Sequence, residues 1–288
     1  MDKTIENDLE NPDTIKNQPK VILIVPYRDR EVHRGIFIKW MTLMLRDYDY
    51  NILFIHQKDT RPFNRGAIKN IGFIYIKERF PDNYKDITMV FNDIDTMPWK
   101  AGQFNYNTEH NIIKHYYGFD YALGGIFSIK AGDFERINGF PNLWTWGLED
   151  NTIQHRALYN KMVISREKFI KADANCKNIV RLDHGPMRLI SNNILTRLQK
   201  YHEHNIEDGI NTIKNIKFDE KIIELDDKCY EVNVNYFETN EGHESPFVNK
   251  ASEQPSFSNT IFTNDINGVR RGSIRNGFGK TSKGALIL

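Results

Sequence analysis

The sequence predicts an α/β fold with a mostly parallel central sheet and helices on both faces. Three observations carry this: short apolar runs without polar alternation, helix-sized segments between them, and polar or charged residues directly after each run. The first run, Val21 to Val25, reads as a buried strand stopped by Pro26. Glu31 to Leu45 accepts a helix with Ile38, Met41 and Leu45 on one face. Ile52 to Ile55 is the second strand. Arg65 to Phe80 follows at helical spacing, with Ile68, Ile71, Tyr75 and Phe80 inward and Pro81 as a stop. The third strand, Ile87 to Phe91, ends in Asn92-Asp93. Sheets of this kind bind ligands at the carboxyl ends of their strands. Pro26 to Arg30, His56-Gln57 and Asp93 to Asp95 are therefore expected to converge.

Composition narrows the function classes. The 288 residues carry 39 Lys plus Arg against 38 Asp plus Glu, so no global charge draws the chain to nucleic acid or to an anionic membrane. No window approaches the roughly 18 apolar residues of a spanning helix, and Met1 to Lys20 lacks an apolar signal region. Two cysteines, Cys176 and Cys229, exclude a disulfide framework and suit a reducing cytosol. Residues 1–19 are expected to be a flexible segment. Residues 245–288, rich in Ser, Asn and Gly with six basic against two acidic residues, read as a flexible basic tail.

Three groups of residues carry chemistry. Asp93-Ile94-Asp95 places two carboxylates after a buried strand, where they suit a hard divalent cation and its phosphates, or serve as a strand-end turn. Asp47-Tyr48-Asp49 has the same spacing but precedes a strand and reads as a solvated turn. Trp144 to Asp150 sets two tryptophans beside Gly147 and adjacent carboxylates. That composition suits a sugar site, stacking on indole and hydrogen bonding to carboxylates; the alternative is two core anchors followed by an acidic helix start. Arg28, Arg30 and Arg65 form a candidate anion clamp, and His184 a candidate metal ligand. His202-Glu203-His204 reads as solvated, since residues two apart do not share a helix face.

In this order, Val25 to Arg30, Phe63-Asn64-Arg65 with Asn70 to Phe73, Asp93-Ile94-Asp95 with Pro98, Gly124-Gly125, Ile137 to Pro141, Trp144 to Asp150 and His184 resemble the beta-1,4-galactosyltransferase family, glycosyltransferase family 7. A weaker echo continues through Asp208 to Thr212, and the resemblance spans Lys20 to Phe237. It implies a GT-A type nucleotide-diphospho-sugar transferase fold over residues 20–244 and an inverting, metal-dependent transfer from a UDP-sugar to a sugar hydroxyl. Under it, Pro26, Tyr27, Arg28, Arg30, Phe63 and Arg65 resemble the uridine and phosphate contacts. Asp93 and Gly125 resemble donor-side residues, and Trp146 the flap residue that closes over both substrates. Asp150 resembles the catalytic base, and Tyr121, Gly147, Glu149 and Asn151 line the acceptor side. Asp95 and His184 resemble ligands of Mn2+, with Mg2+ as the alternative.

The chain departs from the family pattern at three points. Arg181 stands where a third metal ligand is common and cannot ligate; Asn151 replaces a second carboxylate; Ala122-Leu123 replaces an aromatic pair before Gly124. The smaller pair points to N-acetylgalactosamine beside galactose as the transferred hexose. UDP-glucose and UDP-xylose are alternative donors. With no anchor or disulfide set in the sequence, a soluble enzyme of the cytoplasm, viral or host, is expected, with a glycan acceptor and no nucleic-acid partner. The rival readings are a metal-dependent phosphodiesterase and a non-catalytic UDP-sugar or glycan-binding module.

Overall fold

The computed structural model describes residues 18–144, 147–173, 176–182, 208–219, 223–226, 228–240, 260–264 and 270–274. Strands β1 (Val21–Tyr27), β2 (Tyr50–Gln57), β3 (Thr88–Asn92) and β12 (Cys229–Glu238) form a parallel block in the order β12-β2-β1-β3. Beyond β3 the sheet turns antiparallel through β6 (Ile126–Lys130) and β5 (Ile112–Gly118). Beyond β12 it does so through β10 (Lys214–Phe218) and β11 (Ile223–Asp226). Short strands β7 (Val163–Ser165) and β8 (Ile170–Lys171) pair parallel with β5. The sheet is thus mixed, with its parallel part at the centre.

Strand geometry explains why these runs lack alternation. Successive residues of β1 face opposite sides, and both sides are covered. Val21, Leu23, Val25 and Tyr27 pack with Ile52 and Phe54 under α1 (Glu31–Met44), through Phe37, Ile38 and Met41. Ile22 and Ile24 join Leu53 and Ile55 under α2 (Arg65–Arg79), through Ile68, Ile71, Phe73 and Ile76. On α2, Tyr75 and Phe80 are only partly buried, and Phe73 and Ile76 fill the places expected of them.

Pro26 does not stop β1. The strand continues to Tyr27, paired with β2 through Tyr27 and His56, whereas pairing with β3 ends at Ile24 and Phe91. A proline, lacking an N–H, is tolerated where one side of the strand is no longer laddered.

Helices α3 (Ala131–Arg136) and α4 (Glu149–Tyr159) lie on the α2 side, contributing Phe134, Ile153 and Ala157 to that core. A separate ribbon pairs β4 (Thr96–Pro98) with β9 (Ile179–Arg181) antiparallel. Within the segment expected as tail, β13 (Thr260–Asn264) pairs antiparallel with β14 (Arg270–Ile274). Cys176 and Cys229 are free thiols. Among the described residues no helix is long and apolar enough to cross a membrane.

Candidate functional site

The end of β2, the residue after β3 and the first turn of α4 meet around Arg65. Asn64 caps α2, its side chain accepting from Ala67 N at 2.9 Å, while its own N–H reaches Gln57 Oε1 at the end of β2. That fixes Arg65 at the first helical position. Its guanidinium contacts Glu149 Oε1 at 2.8 Å and both oxygens of Asp150 at 2.9 and 3.0 Å, and it also pairs with Asp93. Burial works against the Arg65 charge, but the Asp150, Asp93 and Glu149 carboxylates outweigh it and push its pKa well above the usual range. Burial, and next the neighbouring Asp150 charge, push the Glu149 carboxyl upward.

Asp150 is located by backbone as well as by charge. Its carbonyl accepts from Leu123 N at 2.9 Å, Asn151 Nδ2 donates to Tyr121 O at 3.3 Å, and Asp93 N donates to Gly125 O at 3.2 Å. Tyr121 to Gly125 is thereby fastened between β3 and α4. Gly125 sits at φ +70°, and a Cβ on Gly124 would fall 2.5 Å from Asp150 Oδ2, so the carboxylate occupies space that only glycine leaves. Gly147 N donates to Glu149 Oε2 at 3.0 Å, closing the approach to α4.

Beneath this turn lies His115. Nε2 donates to the carbonyls of Tyr117 and Gly124, each at 3.1 Å, and Nδ1 accepts from Arg166 Nε at 3.2 Å, which fixes a neutral ring. Burial first, then the Arg166 charge, push its pKa down to about 4. A depressed histidine stabilises the fold fully above its unfolded value near 6.5, and that contribution is lost as pH falls through about 4. The loss amounts to about 3 kcal/mol, and His115→Gln, which does not ionise, should lack this part of the acid slope in urea melts between pH 7 and pH 4.

The arginines expected as a clamp enter separate sets of contacts. Arg28 donates to the carbonyls of Gln57, Arg61 and Asp59 at 2.6 to 3.0 Å, pairs with the Asp59 carboxylate at 3.2 Å and lies 5.6 Å over the Phe63 ring, so it holds the loop after β2. Arg30 reaches Asp95 Oδ2 at 3.5 Å, and Arg65 is tied to three carboxylates. Pro26 and Tyr27 are buried floor: Tyr27 is 1% exposed, edge-on to His56 at 4.7 Å and covered by Arg34 at 4.9 Å.

Trp144 is a core anchor, not a sugar platform. It is 5% exposed, stacks on Phe237 at 5.2 Å, lies under Arg61 and donates to Thr239 Oγ1 at 3.0 Å. Trp146 and His184 lie outside the described residues. The chain leading to His184 is nevertheless brought to the site: β9 pairs with β4, and Leu182 N donates to Asp95 O at 2.8 Å. Arg181 Nη1 donates to Asp173 O at 2.8 Å. Among the described residues no group of three His, Cys, Asp or Glu side chains is placed to hold a metal ion.

Sequence reasoning missed Lys69. Its ammonium is 3.2 Å from Asp150 Oδ1 and 4.4 Å from the centre of the Phe140 ring, with the side chain 2% exposed. Burial, then repulsion from Arg65, push its pKa down. The signal was available: Lys69 is the one charged residue between Gly66 and Ile76, a helical turn after Arg65.

Comparison with known proteins bears on the same segments. A family model described as the N-terminal region of glycosyl transferase group 7 matches residues 3–107, and one described as the N-terminal domain of galactosyltransferase matches residues 107–184. Beta-1,4-galactosyltransferase 6 of Homo sapiens is 30% identical over 214 residues, covering 70% of this chain and 54% of that protein. Xylosylprotein 4-beta-galactosyltransferase of Caenorhabditis elegans is 31% identical over 181 residues, covering 59% of this chain and 60% of that protein. The chain thus spans about half the length of the first of these relatives. The catalytic domain of Drosophila beta1,4galactosyltransferase 7, solved with xylobiose, superposes with a TM-score of 0.62 at 22% identity, covering 78% of this chain and 96% of that one. A variant of the same enzyme, solved with manganese, UDP-Gal and xylobiose, gives 0.61 at 21% identity, with the same coverage. The likeness establishes the GT-A type fold.

Proposed function

We propose, from the premise that the chain belongs to glycosyl transferase group 7, that it is an inverting, metal-dependent glycosyltransferase moving galactose or N-acetylgalactosamine from a UDP-sugar to a sugar hydroxyl. The observation that carries this reading is the Asp150 carboxylate, held at the start of α4 beside Glu149 and over Gly124. A sugar hydroxyl is a weak nucleophile, and Asp150 accepts its proton as it attacks the anomeric carbon from the face opposite UDP. Glu149 and Asn151, with Tyr121 and Gly147, hold the acceptor hydroxyls. Arg30 and Asp93 serve the donor side with Gly125, and Arg65 offsets charge developing on the UDP oxygens. Trp146 covers the substrates and limits donor hydrolysis.

Asp95 and His184 would hold Mn2+, or Mg2+ in its place. A carboxylate, an imidazole and diphosphate oxygens are a donor set that suits such a cation, and the bond from Leu182 N to Asp95 O supports the pairing of the two segments. When bound, the cation neutralises charge on the leaving UDP. The names of the relatives support galactose, and the Drosophila complex supports manganese with a UDP-sugar. Two free cysteines support a reducing compartment such as the cytoplasm.

Calorimetric titration with UDP tests the metal assignment. Asp95→Ala is expected to weaken UDP binding in Mn2+ by about tenfold or more and to abolish the difference between Mn2+ and chelator. Unaltered Mn2+-dependent binding would remove Asp95 from the metal site.

A further inference from the structure

We infer that Lys69 is a positioning residue for Asp150, engaging Oδ1 from one turn along α2 so that Oδ2, lying over Gly124, is the oxygen presented to the acceptor hydroxyl. The inference rests on the reading of Asp150 as the base.

The geometry separates the two oxygens. Arg65 Nη1 contacts both, at 2.9 and 3.0 Å, and so does not choose between them. Lys69 reaches Oδ1 alone, at 3.2 Å, and Gly124 leaves room for Oδ2 where any Cβ would collide. A guanidinium acting alone on a carboxylate draws it into a symmetric fork. The second cation, in contact with Oδ1 alone, fixes the rotation about the Cβ–Cγ bond.

Packing does not account for a lysine at this position. The side chain is 2% exposed with its ammonium over the Phe140 ring, where an aliphatic residue would avoid the desolvation cost of a buried ammonium. Removing one partner of a buried ion pair costs stability. In Lys69→Met, Arg65 still pairs with Asp150 and the methionine keeps the length and the contact with Phe140, so the variant is expected to fold with a lowered urea midpoint, and its kinetics are read where it is fully folded.

The test measures UDP release from UDP-galactose and UDP-GalNAc in Mn2+, with the acceptor sugar that the unsubstituted protein uses fastest. Lys69→Met is expected to lose about tenfold in kcat while the donor KM stays within about twofold, because only the presentation of the base has changed. Lys69→Ala is expected to lose as much and to recover with n-butylammonium but not with n-butanol, which fills the same space without the charge. An unchanged kcat in Lys69→Met, or equal recovery with amine and alcohol, overturns the inference. Full turnover by Asp150→Asn overturns the base assignment instead, and no release by the unsubstituted protein counts against the transferase reading and the inference together.

Discussion

Asp150→Asn is expected to lower the rate of sugar transfer by on the order of a thousandfold while leaving UDP binding within about twofold of the parent. The substitution preserves the shape that fits over Gly124, and an amide oxygen still accepts from Arg65, so the local fold has little reason to change. What is lost is an oxygen basic enough to take the proton of the attacking hydroxyl. Binding and turnover should separate because Arg65, Asp93 and Arg30, the residues proposed for the donor, are left in place. Normal turnover by this variant would show that another group, or solvent, accepts the proton.

Arg65→Met is expected to be the most destabilising single change in the site. Arg65 is 14% exposed and neutralises Asp93, Glu149 and Asp150, and its removal leaves Lys69 as the cation in direct contact with Asp150. Breaking a buried ionic group by removing one partner costs about 3 kcal/mol or more at neutral pH. The loss should shrink on acidification. Glu149 is raised in the folded chain by burial and by Asp150, so it favours the fold below its unfolded value and opposes it as pH rises through the folded value. Without Arg65 that opposition grows, and protonation relieves it. Urea melts at pH 7 and at pH 4.5 check this; an unchanged midpoint at pH 7 would mean that the three carboxylates do not depend on Arg65.

The sheet was legible because its strands are buried on both faces, which leaves apolar runs such as Val21 to Val25 that few other structures produce. Their boundaries were less so, since pairing with β2 carries β1 through Pro26. Strands β5, β10 and β12 were not read at all: their sequences mix Lys, Asn and Glu among the apolar residues, and β12 joins the parallel block from far along the chain. In the site, Asp93, Asp95, Glu149 and Asp150 were recognisable because their positions follow a strand or open a helix. Which residues pair with them was not, because Arg65 meets Glu149 across 84 positions of sequence. Arg28 shows the same limit: two positions before Arg30 in sequence, it closes the loop after β2. Trp144 was open between sugar platform and core anchor until its stacking on Phe237 decided it.

The most direct test of the central claim is UDP release from UDP-galactose, UDP-GalNAc, UDP-glucose, UDP-GlcNAc and UDP-xylose, each with Mn2+ or chelator, with and without sugar acceptors. Release is expected to require the metal, to be raised by an acceptor, to be fastest with UDP-galactose or UDP-GalNAc, and to disappear in Asp150→Asn. Metal-dependent UDP binding with no release for any donor and acceptor would contradict that claim and identify a binding module.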